Sequence, residues 1–110
     1  MMNVARLDLS KELYELSEWD NGWYSYWGRG VVARDSTEQR ICPAYDLGYL
    51  LRKLPKMGSI SVTSIIGAGW EAVYHGNRGD LYERRYQADT PEDAVCKLAI
   101  ELFKQDILKR

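Results

Sequence analysis

Leu9, Leu13 and Leu16 recur at helical spacing while Lys11, Glu12, Glu15 and Glu18 fall on the opposite side. This pattern predicts a first helix opening at Leu9-Ser10, with Ser10 as its cap. Asp20-Asn21-Gly22 is turn chemistry and stops it. Trp23 to Trp27 then alternates as a strand, with Trp23, Ser25 and Trp27 on one face and Tyr24 and Tyr26 on the other. Gly28-Arg29-Gly30 turns the chain into a returning strand, Val31 to Arg34, which makes a hairpin. Asp35 to Gln39 reads as a polar loop.

Pro43 marks the predicted start of a second helix. Leu47, Leu50, Leu51 and Leu54 give it one apolar stripe, and Pro55 ends it. Tyr45 and Tyr49 lie off that stripe, and Gly48 between them leaves room for another backbone. Ile60 to Ile66 is β-branched and alternating, and Gly67-Ala68-Gly69 breaks it. Trp70–Tyr74 and Leu81–Tyr86 read as a further hairpin across residues 75–80. The last helix has the fullest set of signals: Thr90 as N-cap, Pro91 in the first turn, Glu92 and Asp93 at the positive end of the dipole. Val95, Leu98, Ala99 and Leu102 form its stripe, and Lys104, Lys109 and Arg110 suit its C-terminal end.

These elements predict a single α+β domain over residues 1–110, a mainly antiparallel sheet of four to five strands packed against two or three helices. Both helix stripes need an apolar sheet face, and Trp23 and Trp27 are assigned to it, meeting Leu50 and Leu98 in one core. Tyr24 and Tyr26 then remain for contact with a partner or a second subunit.

Composition narrows the function more than the fold. The formal net charge is −1, from 15 basic and 16 acidic residues, which speaks against general nucleic-acid binding through many phosphate contacts. Residues 21–60 carry an excess of +3, enough for one small anion and too little to track a duplex. Cys42, Cys96 and the single His75 have no partners at metal-ligand spacing, so no metal and no cofactor is expected, and both cysteines read as buried, reduced thiols. No signal peptide and no apolar span of membrane length is present, so a cytoplasmic protein without membrane contact is expected. A chain this short leaves much surface exposed, which makes a homo-oligomer a natural supplement to stability.

No stretch carries a catalytic motif. Gly67-Ala68-Gly69 lacks the third glycine and the following helix of a phosphate loop, and reads as a connection between strands. Arg78-Gly79-Asp80 reads as a hairpin tip, and His75 as an exposed turn residue without a nucleophile beside it. The more chemical set is Arg84 with Tyr82 and Tyr86. On one strand face these give a guanidinium flanked by two phenols, able to hold a phosphate or stack on a base. The alternative is that the rings cover the sheet and Arg84 lies across one of them.

Two stretches, CPAYDLGYLLRKLP at 42–55 and ADTPEDAVCKLAIELFK at 88–104, together with Trp70–Tyr74, resemble a group of small uncharacterised proteins encoded by bacteriophages and prophages. The shared residues are mostly helix stripes and caps, so the resemblance brings no site residues with it. It implies a protein made in a bacterial cell as a phage accessory. Such proteins act as stoichiometric binders, and the expected role is a non-enzymatic one: countering host defence by holding a bacterial host protein or by sequestering a small anionic nucleotide. A virion structural or assembly accessory is the alternative, and an enzyme acting on nucleotides comes last. Arg84, Tyr82, Tyr86, Tyr24 and Tyr26 are the residues expected to touch the ligand or partner.

Overall fold

Thr90 caps the longest helix as its sequence predicts. Its Oγ1 accepts the Asp93 N–H at 3.1 Å, with Pro91 in the first turn. In the computed structural model, which describes residues 3–22, 24–27, 30–32, 40–54, 59–76 and 83–108, this helix is the centre of the fold. The elements in chain order are α1 (Leu7–Ser17), β1 (Ser25–Trp27), β2 (Gly30–Val32), β3 (Arg40–Pro43), α2 (Leu47–Lys53), β4 (Ser59–Ile65), β5 (Gly69–His75), β6 (Arg84–Ala88) and α3 (Pro91–Lys104). α3 touches α1, α2 and all three strands β4 to β6, while α1 also packs on β3.

The expected α+β class holds, but the strands divide between two sheets. One has the order β2-β1-β3 and the other β4-β5-β6, each antiparallel. The element behind this difference is β3. Residues 40–43 pair with β1, and Pro43 ends that strand instead of opening a helix. Proline at the end of an edge strand has no ladder donor to lose. α2 starts only at Leu47, capped by Asp46, whose Oδ2 accepts the Tyr49 N–H at 3.1 Å. With only seven residues it buries Leu50 fully and leaves Leu51 exposed. Gly48 is exposed, and a side chain there would meet only ordinary contacts. No close backbone approach explains it.

α1 also begins earlier than the pattern predicts, at Leu7. Ser10 is therefore inside the helix and buried, and its hydroxyl donates to the Ala5 carbonyl at 3.2 Å. The start of α1 takes its partner from elsewhere: Asp93 Oδ1 accepts the Arg6 N–H at 2.7 Å.

Leu9, Leu13, Leu50, Leu54, Val95, Leu98, Ala99 and Leu102 are all buried in one cluster, together with Tyr45. Two tryptophans pack against it, but they are Trp19 and Trp70. Trp19 meets Phe103 edge-on with ring centroids 5.2 Å apart. Trp23 lies outside the described residues. Trp27 is half-buried on the face of β1 where Arg40 binds Ser25, and its indole N–H has no hydrogen-bond partner among the described residues. Tyr26 takes the inward direction, and its hydroxyl donates to the Ala5 carbonyl. Alternation along β1 is as expected, but its two faces are exchanged. A phenol can span the half-buried layer and satisfy a backbone carbonyl at its tip, which decides the direction. Tyr45, which precedes α2 and so lies off its stripe, is nonetheless fully buried and donates to the Trp19 carbonyl.

Residues 66–68 do connect two strands, β4 and β5, whose register runs without a break from Ser59↔His75 to Ile65↔Gly69. His75 is the last residue of β5, with its side chain 45% exposed and Nδ1 3.5 Å from Glu83 Oε1. The expected turns at 28–29 and 78–80, the 35–39 loop and Pro55 lie outside the described residues.

Candidate functional site

Alternation along β6 sends Arg84, Tyr86 and Ala88 toward α3 and Arg85 and Gln87 to the other side. Arg84 and Tyr86 do share a face, as expected, but that face is the one the helix covers. Arg84 Nε donates to Gln105 Oε1 at 2.6 Å and Nη1 donates to the Glu83 carbonyl at 3.3 Å. The guanidinium thus ties the end of α3 to the sheet. Tyr82 lies outside the described residues. Tyr26 belongs to the other sheet and Tyr24 directly precedes its strand β1, so neither shares a sheet with β6. Burial, with smaller contributions from the charges of Asp93, Cys42, Cys96 and Asp8, pushes the Tyr26 phenol up to about 12. That fits its role as an inward-facing donor.

Tyr86 opens instead onto a groove of about 240 Å³ between α1, α3 and β6. Leu9, Ile100 and the Tyr86 ring give it an apolar floor, and Glu12, Lys97, Glu101 and Lys104 line its rim. The rim charges are already matched. Lys104 Nζ lies 2.8 Å from Glu12 Oε2 and 3.7 Å from Glu101 Oε1, and the hydrogen bond to Glu12 raises the Lys104 pKa. Lys97 Nζ donates to the Gln87 carbonyl at 3.0 Å. On the outer face of the sheet, Arg85 is held by Glu83 at 2.8 Å and Glu71 at 3.0 Å. The hydrogen bond to Glu83 is the chief cause of its raised pKa.

A second aromatic group surrounds α2. Tyr45 and Tyr49 stack at 5.8 Å, and Lys53 Nζ stands 5.7 Å from the Trp19 ring and 5.9 Å from that of Tyr49. This set carries its own cation. Burial raises the thiol pKa values of both Cys42 and Cys96, so both stay protonated and weakly reactive. Among the described residues no three His, Cys, Asp or Glu side chains are grouped to hold a metal ion, and no helix is long and apolar enough to cross a membrane.

The groove is not legible from the chemistry of any one strand. A signal for it exists: Lys97, Glu101 and Lys104 are spaced i, i+4 and i+7 on α3 beside Ile100, which marks one helix face. Only the packing of α1 adds Leu9 and Glu12. Compared with known proteins, the chain matches no family model, no curated protein and no solved structure.

Proposed function

We propose that this chain is a non-enzymatic binding protein, made as a phage or prophage accessory in a bacterial cell, that counters host defence by holding a host protein in the groove between α1, α3 and β6. The phage context rests on the resemblance carried by residues 42–55, 70–74 and 88–104. The choice of a protein over a nucleotide rests on one observation: the cations at the candidate surface are already engaged. Lys104 is paired with Glu12, Arg85 with Glu71 and Glu83, and Arg84 bonds to Gln105. A phosphate would have to displace carboxylates from Lys104 and Arg85, and the Gln105 amide oxygen from Arg84, to reach these cations. A protein segment needs no such exchange, since an apolar floor with a rim of both charge signs matches an amphipathic partner.

The test uses a charge exchange that leaves net charge unchanged, Lys97→Glu combined with Glu101→Lys. It gives up the exposed contacts of Lys97 with the Gln87 carbonyl and of Glu101 with Lys104; exposed contacts of this kind contribute about 0–1 kcal/mol each. Capture from bacterial lysate with the parent chain should yield a host protein that the exchanged chain loses by tenfold or more, with the melting temperature lowered by no more than that loss allows and the circular dichroism unchanged. Equal capture by both chains refutes the groove as the contact. A nucleotide ligand would stabilise the parent by about 2.7 kcal/mol at a hundredfold excess over its dissociation constant. Such a shift with cyclic dinucleotides or adenine nucleotides would replace the protein reading with sequestration.

A further inference from the structure

The sheet β4-β5-β6 has two edges, and they differ in kind. β6 is a guarded edge. It carries Arg84 and Arg85, Glu83 precedes it, and the Lys97 ammonium caps the Gln87 carbonyl at 3.0 Å. Charged side chains of this sort are how sheets discourage further pairing. β4, SISVTSI, has none of these guards. It is seven residues long, contains no charged residue and no proline, and pairs with β5 in continuous register, without a bulge to bend it away. Among the described residues no strand pairs with its other side. An unguarded edge of this length is a template for another strand.

We infer that β4 is a self-association edge, on which β4 of a second copy adds antiparallel about a two-fold axis at Ser61. The sequence of the strand chooses this occupant. With Ser61 opposite Ser61 of the second copy, Ile60 faces Val62 and Ser59 faces Thr63, and the same pairs recur on the other side of the axis. Every pair is like with like. Ile60 and Val62 are half-buried and pair with Tyr74 and Ala72 of β5, so they lie on the face that α3 packs against. Across residues 59–63, the stretch this register pairs, Ser59, Ser61 and Thr63 are the exposed ones; beyond it Ser64 is exposed and Ile65 half-buried. The register therefore extends the apolar layer with β-branched residues and the solvent layer with hydroxyls, both favourable cross-strand pairings. The absence of charge in the strand removes the repulsion that a two-fold axis otherwise imposes, because an isologous contact sets each residue near its own copy. The result is one continuous six-stranded sheet with β6 at both ends. This association is separate from the groove, on a different edge of the sheet.

Sedimentation of the parent chain over a wide concentration range should show the mass rising from 12.7 kDa toward twice that value. Ser61 is exposed, so Ser61→Lys and Ser61→Glu should keep the parent's circular dichroism. Each alone should remain monomeric, because the axis brings two like charges together. Mixed in equal amounts, the two variants should recover the dimer, since Lys then faces Glu. A parent chain that stays monomeric to millimolar concentration overturns the inference, even if an extended peptide of another protein binds the edge. A dimer that Ser61→Lys leaves unchanged overturns it too. Loss of the dimer in both variants without recovery on mixing overturns the register.

Discussion

Gly67 and Gly69 lie two residues apart in one hairpin, both with left-handed backbone, at φ +78° and +87°. A methyl group added to each meets different surroundings. Nothing lies within 4 Å of it at Gly67. At Gly69 it falls 2.5 Å from the Ala88 carbonyl oxygen and 3.4 Å from the Asp89 Cα, both backbone atoms. Gly67→Ala therefore carries only the cost of a left-handed L-residue, about 1–2 kcal/mol. Gly69→Ala carries that cost and a clash that forces β5 and β6 apart, and overpacking adds about 1–3 kcal/mol more. The total is roughly 2–5 kcal/mol. In a domain near this size each kcal/mol moves the melting temperature by about 4 °C or more. Thermal melts followed by circular dichroism, with urea titrations for the free energies, separate the two variants. Gly69→Ala should lose about 1–3 kcal/mol more than Gly67→Ala loses. Equal losses would mean that β6 does not approach Gly69 as closely as the register Trp70↔Ala88 requires.

Leu98→Ala should cost about 2–5 kcal/mol because the side chain is fully buried, whereas Leu51→Ala, 40% exposed, should stay within about 0.5 kcal/mol of the parent; equal costs in urea titrations would refute the assignment of the α2 stripe. Asp106 sits at φ +60° just beyond α3, where the Ile107 N–H returns to the Leu102 carbonyl and the Asp106 N–H to that of Phe103. Asp106→Gly removes the left-handed cost and a negative charge from the helix C-terminus, so the melt should show a gain of about 1 kcal/mol. Stability should also fall in alkali. The folded-state pKa of Tyr26, about 12 against an ordinary 10.0, and the raised values of Tyr45, Cys42 and Cys96 all leave the folded chain holding protons that the unfolded chain has released. The stabilisation is complete below about pH 9 and is lost as pH climbs through the thiol and phenol ranges toward 12. Urea midpoints at pH 8 and pH 11 check the sign, and Tyr26→Phe should flatten part of the decline.

What the sequence discloses and what it hides follow from the range of each interaction. α3 was legible because its signals are local. The Thr90 cap, Pro91 and the stripe from Val95 to Leu102 all act within a few residues of one another. β4 and its turn were legible for the same reason. β3 was not, since Arg40–Pro43 becomes a strand only through pairing with β1, and its composition alone reads as loop and helix start. The faces of β1 show the limit most sharply. Period two is a local property, but which face turns inward depends on whether a distant carbonyl awaits Tyr26. The candidate site divides similarly. Arg84 and Tyr86 share a face because strands alternate, yet the partner of Arg84 is Gln105, 21 residues on, and no strand-level reading contains it.

That distant carbonyl belongs to a short segment which carries more of the fold than its length suggests. Val4 bridges to Asp46, and the Ala5 N–H donates to the Tyr45 carbonyl at 2.8 Å. The Ala5 carbonyl accepts from both Tyr26 and Ser10, and the Arg6 N–H is taken by Asp93. Residues 4–6 thus join the first sheet, the approach to α2 and the start of α3. Asp93 is the point where two helix N-termini meet. Its side chain is 5% exposed, it lies in the first turn of α3, and it also accepts from the uncapped start of α1. A carboxylate there satisfies a donor that α1 lacks the means to satisfy and faces the positive ends of both dipoles. Asp93→Ala removes a charge-assisted hydrogen bond, about 1.5–3 kcal/mol, and both dipole terms, about 0.3–1 kcal/mol each. Asp93→Asn keeps a neutral acceptor for the Arg6 N–H and loses the charge, so it should cost less than Asp93→Ala by the worth of that neutral bond, about 0.5–1.5 kcal/mol. Urea titrations of both variants, read against the parent, separate hydrogen bond from charge. If Asn and Ala prove equally damaging, the contact with Arg6 contributes nothing as a hydrogen bond. If neither destabilises, residues 4–6 are not the junction that their bonding describes.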